Sequence, residues 1–324
     1  MGKFDYPEGA TPLADYSGLL RTEVHNQGDL NRFETENIAD AKKRFLEKNV
    51  GDPALWFNIG TLKLIHKAMV GRVWAWAGDF RRSVTSIGIE PNRISLQLSE
   101  FCREVSAWSY EAVELTFVER AARIHHRLVF IHPFENGNGR FSRLVADRYL
   151  VAYKCPYPHW PSLQDNGKLR SMYIQSLKAA DSGDYGLLIK LMNEWGARDP
   201  LLSELLTRPI YKKRLSGQQR LAIVEALLRL GCDINEVSTS ARTPLHIAIY
   251  MNIQDVAFVL IKHGANLTLR DKSGYDPFEL AINKGMFEVA LAIYKAGYPY
   301  ERGMPASSKI KYDMLYKFEM EYLK

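Results

Sequence analysis

A single stretch of twelve residues gathers the groups that handle phosphate: His132-Pro-Phe-Glu-Asn-Gly-Asn-Gly-Arg-Phe-Ser-Arg143. An imidazole with an ordinary pKa near 6.5 serves as a general base at neutral pH, and His132 stands where the stretch begins. Gly137, Asn138 and Gly139 precede an apolar-periodic run from about Arg140 to Tyr153 that reads as a helix. Their backbone N–H groups therefore sit at a helix N-terminus, where unpaired amides and the positive end of the dipole cradle an anion. Glycine there leaves out the Cβ that would hold a phosphate away, and it permits the positive φ of an amide nest. Arg140 and Arg143, three apart in the first turn, share a face with those amides and suit two phosphates of a nucleotide. Phe134, the large apolar residue inside the loop, pegs it to a core. A glycine-rich helix start or a lone histidine is an ordinary structural feature. Base, peg, nest and paired arginines in one stretch point to phosphate chemistry.

The elements that must hold this loop are helical. Leu30 to Phe45 carries Phe33, Ile38, Ala41 and Phe45 on or near one face. Leu55 to Val70 and Phe117 to Phe130 are further apolar-periodic runs. Ser83 to Ile94 breaks the pattern: β-branched residues around Gly88 and Pro91 predict a short β-hairpin. The second part of the chain is built on a repeat. Gly231, Gly264 and Gly297 are 33 residues apart, as are Thr243-Pro-Leu-His-Ile-Ala and Asp276-Pro-Phe-Glu-Leu-Ala. That period and turn resemble the ankyrin repeat, which makes His246 a structural histidine rather than a base. Residues 218–300 hold two full repeats and a preceding half repeat, too few to close a core alone. The connector 201–217 and a helix formed by the tail, with Ile310, Met314, Leu315, Phe318 and Tyr322 at helical spacing, are expected to cap them.

The loop itself resembles the Fic family signature, H-P-F-x-(D/E)-G-N-G-R-x-x-R. Upstream, Val73-Trp-Ala-Trp-Ala-Gly-Asp-Phe-Arg81 is similar to the W-A-G-x-x-R segment that precedes the family's hairpin flap, and His66 fits in the helix before it. Trp74 and Trp76 read as core. The resemblance covers roughly residues 20–200 and is nearest to the bacterial subgroup called mobile mystery protein B. It implies an all-α fold: a Fic helical domain with a small β-hairpin flap over 1–200, a connector 201–217, ankyrin repeats over 218–300 and a capping helix in 301–324. It implies a protein adenylyltransferase that moves AMP from ATP, with Mg²⁺, to a Ser, Thr or Tyr hydroxyl of a target protein. Carried over by position, His132 deprotonates the hydroxyl, and Gly137, Asn138 (with its side chain) and Gly139 hold the diphosphate. Arg140 and Arg143 bind phosphates, Arg143 the terminal one. Thr85, Ser86, Ile87, Gly88 and Ile89 of the flap align the target as an added strand. Lysine at position 139 would mark the phosphorylating branch, so Gly139 favours AMP. Phosphocholine transferases with ankyrin repeats carry alanine where Gly137 stands. Another phosphate-bearing cargo, or a catalytically weak ankyrin interaction protein, are the alternatives.

Two positions depart from the family pattern. The metal ligand, Asp or Glu in the signature, is Asn136, with the acid one place earlier at Glu135. An amide oxygen lacks the charge that makes a carboxylate a strong ligand for a hard cation. The inhibitory [S/T]-x-x-x-E-[G/N] helix of many relatives is matched at its end by Glu36-Asn37, but Arg32 stands in place of Ser or Thr; Glu36 is the inhibitory candidate.

Composition sets the surroundings. Hydrophobic residues are 46% and charged residues 25%, which excludes disordered, collagenous and coiled-coil classes. No apolar run approaches a membrane span, and the first twenty residues lack the apolar core of a signal peptide. Cys102, Cys155 and Cys232 fit no metal spacing or disulfide framework. A cytoplasmic protein is expected, with translocation into a host cell by a signal-independent route as the variant an effector would need. The 43 basic residues exceed the 37 acidic ones but are scattered, Lys212-Lys213-Arg214 being a short exception. A solvated surface accounts for them, so the expected partners are a protein target bound through the ankyrin repeats and the flap, not nucleic acid or membrane.

Overall fold

The computed structural model describes residues 18–47, 50–161, 167–301 and 310–323. The ends of the expected first domain (1–17) and of the tail (302–309 and 324) lie outside them. The chain divides into two compact units, Met1–Glu111 with Phe117–Asp199, and Ala112–Thr116 with Pro200–Lys324.

In the first unit, helix α1 (Gln27–Leu46) starts where the Asn26 side chain accepts from the Asp29 N–H. Leu30, Ala41 and Phe45 are buried, and Phe33 and Ile38 are half-buried. Short α2 (Pro53–Trp56) and α3 (Ile59–Val70) begin at Asp52 and Asn58 side-chain caps. They are followed by α4 (Ile94–Ala107), α5 (Phe117–Ile131), α6 (Asn138–Ala152), α7 (Gly167–Asp181) and α8 (Gly186–Glu194). The α5–α6 pair is the centre of the core: Phe117, Ile124, Leu128, Ile131, Phe141, Val145 and Tyr149 have no exposed surface. The connection between them is the His132–Gly137 loop, whose Phe134 is itself fully buried.

The hairpin expected over Ser83–Ile94 is not formed. Residues 81–90 run as a bent loop, Pro91–Arg93 make a single 3₁₀ turn, and α4 begins at Ile94. The cause is competition for the carbonyls. The Arg81 guanidinium donates from Nη1 to Ser83 O (2.7 Å) and from Nη2 to Ile89 O, so the ends of the segment are tied to one side chain rather than to each other. Gly88 at φ +110° and Pro91, which has no N–H, interrupt any ladder between them. The β-bridge among the described residues is elsewhere, between Leu19 and Trp74.

The second unit contains α9 (Leu202–Thr207), α10 (Pro209–Arg214), α11 (Gly217–Arg229), α12 (Pro244–Tyr250), α13 (Gln254–Lys262), α14 (Pro277–Lys284), α15 (Phe287–Lys295) and α16 (Tyr312–Tyr322). The 201–217 segment is thus two short helices, and α9 packs on α11 and α12. His246 is buried and links successive repeats: its Nε2 faces Tyr275 O at 3.0 Å while Nδ1 faces the Thr243 hydroxyl at 2.8 Å. In the following repeat Asp276 and Glu279 occupy those places and are held by Arg270. Helix α16 covers the last pair, with buried Phe318 edge-on to Phe278 at 5.7 Å.

Candidate active site

The His132–Arg143 loop is stapled from inside by neutral groups. Phe134 is fully buried, stacked on the His66 ring at 3.7 Å and edge-on to Phe141 at 5.0 Å. His66 on α3 accepts at Nδ1 from the Gly78 N–H (3.0 Å), which leaves Nε2 protonated to donate to the Asn136 carbonyl (3.0 Å). Burial lowers its pKa to about 4, so it is a neutral spacer and not a second base. Asn138 holds the loop through both ends of its amide: Oδ1 accepts from Phe134 N–H (2.9 Å) and Nδ2 donates to Phe134 O (2.7 Å). The side chain expected to contact phosphate thus also braces the loop, with the second Nδ2 hydrogen and the backbone N–H left to an anion. Asn138, Gly139 and Arg140 open α6, whose first amides have no partner within the helix. Gly137 supplies the turn at φ +79°, and a Cβ on Gly139 would meet nothing within 4 Å, so the nest is open on that side.

His132 sits at the end of α5 in the left-handed region, φ +52°, a conformation that needs support for a non-glycine residue. The support comes from Arg81, whose Nε donates to His132 O (2.6 Å) and whose N–H donates to Pro133 O (3.0 Å). Nδ1 of His132 lies 3.3 Å from Val129 O; a proton there leaves Nε2 as the basic nitrogen. Burial pushes this imidazole below its ordinary value of 6.5, so it is neutral and basic at pH 7. The Thr85–Ile89 segment lies over it: a Cβ on Gly88 would stand 2.5 Å from the His132 Cβ. Glu135 ties the same segment down, accepting from Arg82 N–H (3.2 Å) and the Ser83 hydroxyl (2.8 Å). Both oxygens of the shifted acid are thus engaged by residues 82 and 83.

Of the arginines, Arg143 donates from Nε to Gly139 O (3.0 Å) and lies over the Trp160 ring at 5.8 Å. Arg140 is engaged by an acid the sequence did not single out. Glu34 is 4% exposed and accepts from Arg140 Nη1 (2.6 Å) and from the Trp74 indole (2.8 Å). Glu36, the inhibitory candidate, faces solvent on the far side of α1, two residues or about 200° around the helix. The phase of α1 contained the signal: Glu34 falls on the stripe Leu30, Asn37, Ala41, Phe45, all buried, where a carboxylate must find a partner. Trp160 and Asp147, described below, left no such mark.

The metal expected from the signature finds a poor donor set. The Asn136 amide oxygen is neutral and accepts from the Gly137 N–H at 2.6 Å, and the described residues contain no cluster of three or more His, Cys, Asp or Glu able to hold an ion. These residues do not fit a resident Mg²⁺ site.

Comparison with known proteins agrees with the two-part organisation. Residues 56–150 match the Fic/DOC family, and residues 215–302 match ankyrin repeats (3 copies). The chain is 28% identical over 186 residues to "Protein adenylyltransferase Fic" of Aedes aegypti, covering 55% of this chain and 36% of that protein. It is 34% identical over 125 residues to the protein of the same name from Drosophila melanogaster, covering 37% and 24%. The chain thus spans between about a quarter and a third of the length of the curated relatives it matches. Among solved structures, BepC from Bartonella tribocorum with bound AMPPNP aligns over 57% of this chain and 96% of that one, at 17% identity and a TM-score of 0.44. Fic-1 of C. elegans aligns over 50% and 48%, at 24% identity and a TM-score of 0.41.

Proposed function

We propose that this chain is a protein adenylyltransferase: it transfers AMP from ATP to a hydroxyl of a Ser, Thr or Tyr residue in a protein target. The observation that carries the reading is His132, held with a basic Nε2 directly before a helix N-terminus that presents open amides and two arginines. In the reaction Nε2 takes the hydroxyl proton as the oxygen attacks the α-phosphorus. A new P–O bond forms, the α–β bridging P–O bond breaks, and pyrophosphate leaves. The amides of Asn138, Gly139 and Arg140 and the Arg140 and Arg143 guanidiniums bind the phosphates and offset the charge that develops. Glycine at position 139, where a lysine marks the phosphorylating branch of the family it resembles, supports placing AMP rather than the terminal phosphate in transfer. Mg²⁺ enters as the counter-ion of ATP, a part of the substrate.

The exposed Thr85–Ile89 loop is the surface for the target's backbone beside the base, and the ankyrin unit recruits the target. Free Cys102, Cys155 and Cys232 suit a reducing, ATP-containing cytoplasm, and no helix among the described residues is long and apolar enough to cross a membrane. The test is incubation with ATP labelled at the α- or the γ-phosphate, with intact-mass measurement of the protein and of His132→Ala. AMP transfer predicts label from the α position alone, a mass gain of one AMP through automodification, and neither in the variant. Label from γ alone would make it a kinase, and an unchanged His132→Ala would remove the base.

A further inference from the structure

Behind the phosphate cradle lies a support that the catalytic loop does not contain. Arg143 has one hydrogen bond to the protein among the described residues, from Nε to Gly139 O, so its terminal nitrogens remain available to a ligand. The guanidinium lies over the Trp160 ring, with Cζ 5.8 Å from the ring centroid. Trp160 itself belongs to no regular element, since the chain from 153 to 161 is irregular. Its orientation is therefore set by side-chain contacts: the indole N–H donates to Asp147 Oδ1 at 2.8 Å, and the ring packs on His125 at 5.0 Å and Trp195 at 5.7 Å. Asp147 is buried on α6, one helical turn beyond Arg143, so the same helix carries the arginine and the anchor of its platform.

We infer that Asp147 and Trp160 are positioning residues that aim Arg143 at the terminal phosphates of the nucleotide, and so set the preference for a triphosphate over a monophosphate. The chain of contacts runs one way: Asp147 fixes the indole, the indole fixes the plane of the guanidinium, and the guanidinium meets the phosphates. Nothing in it touches the α-phosphate or the nucleophile. Burial pushes the Asp147 carboxyl up to about 7, which makes its charge marginal near neutrality. Its constant contribution is an oxygen acceptor for the indole, and an asparagine supplies the same oxygen.

The inference rests on the nucleotide reading of the loop, and the experiment separates the two. Calorimetric titration of the full chain with α,β-methylene ATP, whose α–β linkage resists cleavage, is compared with titration by AMP. The parent protein should bind the triphosphate more tightly; equal binding of both, or of neither, overturns the nucleotide reading and the inference with it. Asp147→Leu should raise the triphosphate Kd by about tenfold, the low end of what losing a supporting partner costs at a ligand site, with the AMP Kd within about twofold. Asp147→Asn should restore both. Trp160→Phe, which keeps a ring and removes the indole donor, should reproduce the split should Asp147→Leu fail to fold. Equal losses for both ligands, an unchanged ratio, or an asparagine variant as weak as the leucine one would overturn it.

Discussion

Replacing Glu34 by glutamine isolates the one ion pair that reaches into the cradle. The glutamine oxygen can still accept from the Trp74 indole, which is fully buried and would otherwise lose its partner, but the neutral amide cannot hold Arg140. Two effects on nucleotide binding share a sign. A negative charge beside the phosphates disappears, and Arg140 no longer has to leave a carboxylate to reach them. Coulomb's law at an effective dielectric of about 20 puts a unit charge about 8 Å from a phosphate at ~2 kcal/mol. The Arg140 side chain is 33% exposed, so screening by water and salt brings the expected gain nearer to ~1 kcal/mol, a fivefold or somewhat larger fall in Kd. Folding should respond in the opposite direction. The buried end of the pair, with the Glu34 side chain 6% exposed, gives up a charge-assisted hydrogen bond, and the melting temperature should drop by a few degrees. The assay is titration with α,β-methylene ATP at two salt concentrations, beside a melting curve of the same sample. An unchanged Kd with a lowered melting temperature would show that Glu34 serves the fold alone. A weaker Kd would reverse the reasoning, making Glu34 the group that aims Arg140 rather than the one that occupies it.

Three further outcomes follow from the site. The acid limb of transfer activity should have its midpoint below pH 6.5: burial lowers the His132 pKa, so the neutral base persists as pH falls past the ordinary value and is lost only below it. A midpoint above 6.5 in a pH–rate profile would contradict that. Gly88→Ala should slow transfer at least tenfold with nucleotide affinity intact, because its Cβ would press on the His132 Cβ from a backbone at φ +110° that costs ~1–3 kcal/mol for alanine; steady-state rates beside calorimetry decide it. Asn136→Asp keeps an acceptor for the Gly137 N–H and adds a charge for a metal, so the Mg²⁺ concentration giving half-maximal rate should fall and transfer should quicken by up to about tenfold; an unchanged Mg²⁺ dependence would mean that position 136 is no metal ligand here.

What the sequence made legible was whatever its own neighbours determine. The helix starts at Asn26, Asn58, Ser216, Thr243 and Asp276 are written as caps a few residues from the amides they satisfy. The 33-residue period announces the repeats, and the loop could be read because its parts are contiguous. Partners distant in sequence were not legible. Ser83–Ile94 has the composition of a hairpin, yet its carbonyls go to Arg81, a side chain outside the alternating pattern. The resemblance gave Asn138 a side-chain role toward phosphate, and only the position of Phe134 shows that its amide also holds the loop. Glu36 matches a motif at its end and lies on the exposed face of α1, whereas the acid on the buried stripe that meets Arg140 is Glu34.

The distribution of charge explains why the loop has this shape before any ligand arrives. Its scaffold consists of neutral groups: the His66 ring, the Asn138 amide, the Phe134 stack and backbone carbonyls. Arg81 brings a full charge, but it is spread over the carbonyls of Ser83, Ile89 and His132, so it braces the backbone and is not offered to an anion. The groups that remain are the amides opening α6 and the two arginines of its first turns, all of one sign. A cradle that is rigid through neutral bonds and positive at its free edge needs no rearrangement to receive phosphate, which is the condition under which electrostatic stabilisation is most effective. Glu34 is the exception, because the contact it makes is one the incoming phosphate would also make. On the nucleotide reading the affinity of the cradle therefore also responds to α1, a helix outside the loop: Glu34→Gln removes the ion pair with Arg140 and keeps an acceptor for the Trp74 indole.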